Sequence, residues 1–143
     1  MAGARRAHYD PPVRRRFWNA RMNSHRTYPQ LQLRIDLAPG IRFGPGKADL
    51  LEGIDTLGSI AGAGRLMRMS YKRAWELVGE LNRCFDAPLV DASKGGSGGG
   101  GASLTPLGKK LLKSYRAMQA ATQAAIAREL NQLQRRVRRP DAE

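Results

Sequence analysis

Between Gly58 and Phe85 the chain reads GSIAGAGRLMRMSYKRAWELVGELNRCF, and few folds accommodate such a stretch. Two serines, Ser59 and Ser70, each stand immediately before a helix-period run, where a hydroxyl can accept a bond from an unpaired amide of the opening turn. Ile60, Ala63, Leu66 and Met67 recur at three- and four-residue spacing and share one face of the first helix. Arg68-Met69 makes the turn. In the second helix Ala74, Trp75, Val78, Leu81 and Phe85 form an inward stripe, leaving Lys72, Arg73, Glu76, Glu80 and Arg83 on other faces. A capped helix, a tight turn and a second capped helix with basic residues in its opening turn form the helix-turn-helix pattern used to read DNA.

Charge points the same way. The 143 residues carry a formal net charge of +13, which favours a polyanionic partner, nucleic acid or an anionic surface. Hydrophobic residues make up 41%, enough for a core of roughly 70–90 ordered residues and one domain. The single Cys84 cannot form an intramolecular bridge and reads as a half-buried structural thiol, so nothing indicates an oxidising compartment. No apolar run approaches the ~20 residues that span a bilayer.

The first 28 residues hold seven Arg against one acid, Asp10, with Pro11-Pro12 and no sustained period. They read as a solvated, disordered basic tail, in which Met22 would also serve as a start. The arginine-rich opening lacks the apolar stretch of a secretory signal.

Leu31, Leu33, Ile35 and Leu37 alternate with polar residues, the period of a half-buried strand that Pro39-Gly40 ends. Phe43-Gly44-Pro45-Gly46 reads as a second turn, followed by a helix from Lys47 to about Leu57 with Leu50, Leu51, Ile54 and Leu57 on one side and Gly58 as its C-cap. Past Phe85, Pro88–Ala92 and Ala102–Thr105 read as two strands around the glycine-rich loop 95–101, a hairpin of the kind called a wing. Thr105-Pro106 then opens a long helix to about Val137, with threonine as N-cap and proline at the first helical position. Along it Leu107, Leu111, Tyr115, Met118, Thr122, Ile126, Leu130, Leu133 and Val137 follow helical spacing. Such a helix is on the order of 45 Å long, more than a small domain covers. Its alanine-rich distal half suits a second subunit, with Leu111, Tyr115, Met118, Thr122, Ile126, Leu130 and Leu133 as the dimerisation stripe.

The fold class expected is therefore mainly α with a small β wing: a basic tail over 1–28, a winged helix-turn-helix over 29–115, a dimerisation helix over 105–137 and a frayed end over 138–143. Direct readout needs side chains at the start of the second helix, and Ser70, Tyr71, Lys72 and Arg73 supply them. Arg65 and Arg68, with Ser59 at the start of the supporting helix, are expected on phosphates. In the wing, Lys94 adds a charge and Ser97 a hydroxyl. Trp75 is assigned to packing.

Enzyme readings fail on spacing. A phosphate-binding P-loop ahead of Gly108-Lys109-Lys110 requires glycine where Ser103 stands, and ahead of Gly46-Lys47 where Ile41 stands. Two histidines in the tail and one cysteine give no zinc cluster, and no carboxylate pair accompanies a nucleophile. Neither catalysis nor a cofactor is expected.

These pieces together resemble a known family. GPGKADLLEGIDTLGSI, then MSYKRAWELVGELNRCF, then PLVDASKGGSGGGGASLTPLGKKLL are similar to the N-terminal DNA-binding domain of the ModE-type molybdate-responsive transcriptional regulators, itself akin to the winged helix-turn-helix of LysR-type regulators. The resemblance covers about Leu31 to Tyr115. It implies a winged helix, sequence-specific binding of double-stranded DNA, a homodimer through long helices and a bacterial cytoplasm, associated with the nucleoid. Family members that sense molybdate carry further C-terminal oxyanion-binding domains, which are not seen after Glu143, so molybdate binding is not carried over. Two other classes fit the charge and the helix: a nucleoid-type architectural protein with little sequence preference, and a module whose long helix docks on a different protein.

Overall fold

Apolar side chains from every segment between Phe43 and Tyr115 converge on one core. The computed structural model describes residues 28–93 and 101–138, so the basic tail over 1–27, the glycine-rich loop over 94–100 with Lys94 and Ser97, and the expected frayed end beyond Arg138 lie outside the described residues. In chain order the elements are β1 (Ile35–Ala38), β2 (Ile41–Phe43), α1 (Pro45–Leu57), α2 (Ile60–Leu66), α3 (Tyr71–Cys84), β3 (Val90–Ala92), β4 (Ala102–Leu104) and α4 (Pro106–Gln134). This is an α+β winged helix with a long C-terminal helix.

The expected strand over Leu31–Leu37 is half right. Its paired part begins at Ile35, and its antiparallel partner β2 takes in Ile41 and Arg42, given no element in the sequence reading, and Phe43, read there as part of the second turn. Pro39 and Gly40 (φ 75°) form the turn between them, the glycine supplying the left-handed backbone that residues with a β-carbon adopt only at a cost. A bulge between Asp36 and Ala38 breaks the ladder and leaves Leu37 51% exposed. Arg42 donates Nε to Asp36 Oδ1 at 2.7 Å across the hairpin. That bond, and then the guanidinium's charge, lowers the Asp36 carboxyl below its usual range.

α1 starts at Pro45, two residues earlier than expected, because proline suits the first turn. It buries Ala48, Leu50, Leu51 and Ile54. Gly58 closes it in the left-handed conformation, its N–H bonded to Ile54 O at 2.8 Å. The Gly58 carbonyl accepts from Ala102 N at 2.9 Å, so the end of α1 is hydrogen-bonded to the wing strand β4.

The wing pairs in one register, Val90 with Leu104, Asp91 with Ser103 and Ala92 with Ala102. Asn82, on α3, supports its base. Its Oδ1 accepts from Leu89 N (2.9 Å) and Val90 N (3.1 Å), and its Nδ2 donates to Val90 O at 3.1 Å. Thr105 Oγ1 caps α4 by accepting from Gly108 N at 3.0 Å and donates to Pro88 O at 2.7 Å. Gly108 then lies so close to the wing base that a β-carbon there would collide with the Leu89 carbonyl. These contacts join α3, wing and long helix into one unit.

The core comprises Phe43, Leu50, Leu51, Ile54, Ile60, Val78, Leu81, Leu89, Val90, Leu104, Leu112 and Tyr115 with small residues between them, and no charged side chain is buried among the described residues. Tyr115 corrects the expectation that it serves a second subunit. Its side chain is fully buried in its own domain, edge-on to Phe43 at 5.0 Å, and its hydroxyl donates to Leu33 O at 2.6 Å. Leu111 is likewise half-buried against the same core, and the neighbouring Leu112 is the residue that points fully inward. The consecutive leucines fit either rotation of the helix in sequence; the Gly108–Leu89 contact supports this one.

Candidate nucleic-acid interface

Each cap read from sequence is formed. Ser59 Oγ accepts from Gly62 N at 3.0 Å and Ser70 Oγ from Arg73 N at 3.1 Å. Between them α2 closes with a Schellman arrangement: Met69 N bonds Gly64 O at 3.0 Å and Arg68 N bonds Arg65 O at 3.1 Å. The residue in the left-handed position of that motif is Arg68, φ 56°, the one non-glycine residue with positive φ among the described residues. Glycine is the usual occupant, because a β-carbon there crowds the following carbonyl. The Arg68 side chain at that position is long, cationic and exposed.

α3 then divides into two faces. Ala74, Val78 and Leu81 are buried, while Tyr71, Lys72, Arg73 and Glu76 are exposed. Tyr71, 63% exposed, stands edge-on to Trp75 at 5.9 Å. The Trp75 ring packs against the edge of the core, as expected. Its Nε1 is buried without an acceptor.

Arg65, Arg68, Ser70, Tyr71, Lys72 and Arg73 thus all reach solvent, and Ser59 is half-buried. The first turn of α3 has no acid, so the partial positive charge of the helix N-terminus adds to Lys72 and Arg73. Two glutamates one and two turns on temper this. Glu76 lies 3.8 Å from Lys72 and 3.9 Å from Arg73, and Glu80 lies 4.0 Å from Arg73. Pairs this long and this exposed contribute about 0–1 kcal/mol, so an anion can displace them at little cost.

Elsewhere the described residues offer little competing chemistry. No group of three His, Cys, Asp or Glu side chains could hold a metal ion, and no helix is long and apolar enough to cross a membrane. A shallow groove borders the start of α2, lined by Leu57, Ser59, Gly62, Arg65 and Leu66.

Comparison with known proteins shows what the frame is similar to. Molybdenum-pterin-binding protein MopA of Rhodobacter capsulatus is 40% identical over 105 residues, 73% of this chain and 39% of that protein. MopB of the same organism is 46% identical over 81 residues, 57% of this chain and 30% of its own. The DNA-binding transcriptional dual regulator ModE of Escherichia coli is 33% identical over 97 residues, 68% of this chain and 37% of the regulator. The chain carries a ModE-like domain. No family model matches it, and it spans between 30% and 39% of the length of these three relatives. Within the ModE-like domain, sequence reasoning missed Asn82, Gly108 and Arg116. Gly108 and Arg116 act on residues remote in the chain, and Asn82 reaches past the end of its own helix to Leu89 and Val90, so helical spacing carries no trace of them.

Proposed function

We propose that the ModE-like domain is the reading head of a transcriptional regulator. It binds double-stranded DNA with α3 in the major groove and the wing, including Lys94 and Ser97, on flanking backbone. One observation carries the reading. A core-anchored, serine-capped helix presents Tyr71, Lys72 and Arg73 to solvent directly after a turn that holds Arg68 in a strained conformation. Arg73 can bond guanine in bidentate fashion, whereas Arg65, Arg68 and Lys72 suit phosphates. The Escherichia coli relative, named as a DNA-binding transcriptional dual regulator, supports the same assignment. No catalytic step and no molybdenum ligand are assigned to these residues.

A second copy pairs through the distal half of α4. Thr122, Ile126 and Leu130 are half-exposed, and Met118, Leu133 and Val137 more so. They continue the row by which Leu112 and Tyr115 dock α4 on its own domain. Two α3 helices would then enter successive major grooves ~34 Å apart on a roughly palindromic operator.

Selection from a random duplex library, followed by competition of the selected duplex against random duplex at ~150 mM salt, tests the reading, since specific binding survives a large excess and counterion-driven binding does not. Retention of the selected duplex is expected. Equal loss to random competitor would instead favour the architectural reading that the +13 charge allows.

A further inference from the structure

Among the described residues, the side chains of α4 that bond to the first half of the domain are Tyr115 and Arg116, at the point where the helix leaves the body. Arg116 Nη2 donates to Asp49 Oδ1 at 2.8 Å and to Glu52 Oε2 at 3.0 Å, both on one face of α1. Its Nη1 donates to Gln119 Oε1 at 2.9 Å. Tyr115 donates to Leu33 O, ahead of β1, at 2.6 Å. Tyr115 is also the last buried residue of α4, and among the described residues no side chain beyond Gln119 bonds to another element.

We infer that Arg116, seated by Tyr115 and Gln119, is a positioning residue: it fixes the direction in which the distal half of α4 leaves the domain, and so the relative placement of two reading helices. The inference rests on the two-copy reading above. Leu107, Leu111 and Leu112 hold α4 against the body, and the Gly108–Leu89 contact and buried Tyr115 set its roll. This packing sets the tilt of the part beyond Tyr115 only loosely. A planar guanidinium bonded to two carboxylates on a neighbouring helix is directional and restrains that tilt. Arg116 and Asp49 are only 22% and 21% exposed, so salt screens this pair less than a surface pair. The lever is long enough for direction to matter. Residues 120–134 extend ~22 Å, so a tilt of about 10° displaces the tip by ~4 Å, close to one base-pair step.

The test measures geometry in the full chain without DNA. In a Cys84→Ser background, Asp86→Cys supplies one spin-label site per copy, just past the end of α3. Pulsed electron resonance then reads the distance between copies. The parent chain is expected to give one narrow distance distribution. Arg116→Gln should lose the narrow peak while keeping its cooperative thermal unfolding, and Arg116→Lys should recover part of it. An unchanged narrow peak in Arg116→Gln overturns the inference. So does failure of that variant to fold, which would make Arg116 a fold determinant instead. A parent chain with no inter-copy distance at all overturns the two-copy reading on its own.

Discussion

Gly64 and Ala74 meet where α2 crosses α3: a β-carbon built on Gly64 would lie 2.9 Å from that of Ala74. Real β-carbons essentially never approach so closely, and both belong to helices, so neither can swing aside. Gly64→Ala gains ~1 kcal/mol of helix propensity but forces the crossing apart at a cost of about 1–3 kcal/mol. Overpacking is expected to win, lowering the melting temperature by several degrees. Adding Ala74→Gly should relieve the clash, so the double variant would be more stable than the two single losses summed. Additive losses in thermal denaturation would show that the helices do not touch there.

Asn82 is a second fixed point. Asn82→Ala leaves the amides of Leu89 and Val90 and the Val90 carbonyl without their partner. Each unsatisfied group costs about 1–3 kcal/mol when buried, less here because the site is only half-buried. A total loss of about 2–4 kcal/mol in chemical denaturation is expected. Asn82→Asp keeps both accepted bonds and should lose less; equal losses would argue against the amide bonds as the cause.

Arg68 separates stability from function. Arg68→Gly relieves the left-handed backbone, partly offset by glycine's greater freedom when unfolded, for a net gain of about 0.5 kcal/mol. The same change should weaken DNA binding and lower the salt slope by about one counterion. A variant that is both more stable and unimpaired in binding would remove Arg68 from the interface.

On α3, Arg73→Ala is expected to weaken binding to a selected duplex more than to random duplex, whereas Arg65→Ala should weaken both alike. Glu76→Gln frees Lys72 and Arg73 from their 3.8 and 3.9 Å pairs and should tighten random-duplex binding with little effect on melting temperature. Equal ratios for Arg73→Ala and Arg65→Ala would contradict these roles.

What could be read in advance was local. As caps and helix starters, Ser59, Ser70, Thr105 and Pro106 act within three residues of themselves, so the order of letters carries that effect; the second bond of Thr105, to Pro88 O, it does not carry. β2 escaped because Ile41-Arg42-Phe43 is too short to show a period and lies between two proline-glycine turns. Tyr115 was misplaced because the apolar row of α4 runs without interruption from the domain's own core into the distal half, and spacing does not mark where one ends. Arg116 resembled any surface cation until the fold brought Asp49 and Glu52 to it, more than sixty residues away in sequence.

The most direct test follows backbone amide resonances during titration with a selected duplex. The largest shifts are expected at Arg65, Arg68 and Ser70–Arg73 and in the wing, with the Leu112–Tyr115 segment unmoved. Shifts confined to the distal half of α4, with the first turn of α3 silent, would contradict the placement of α3 in the groove.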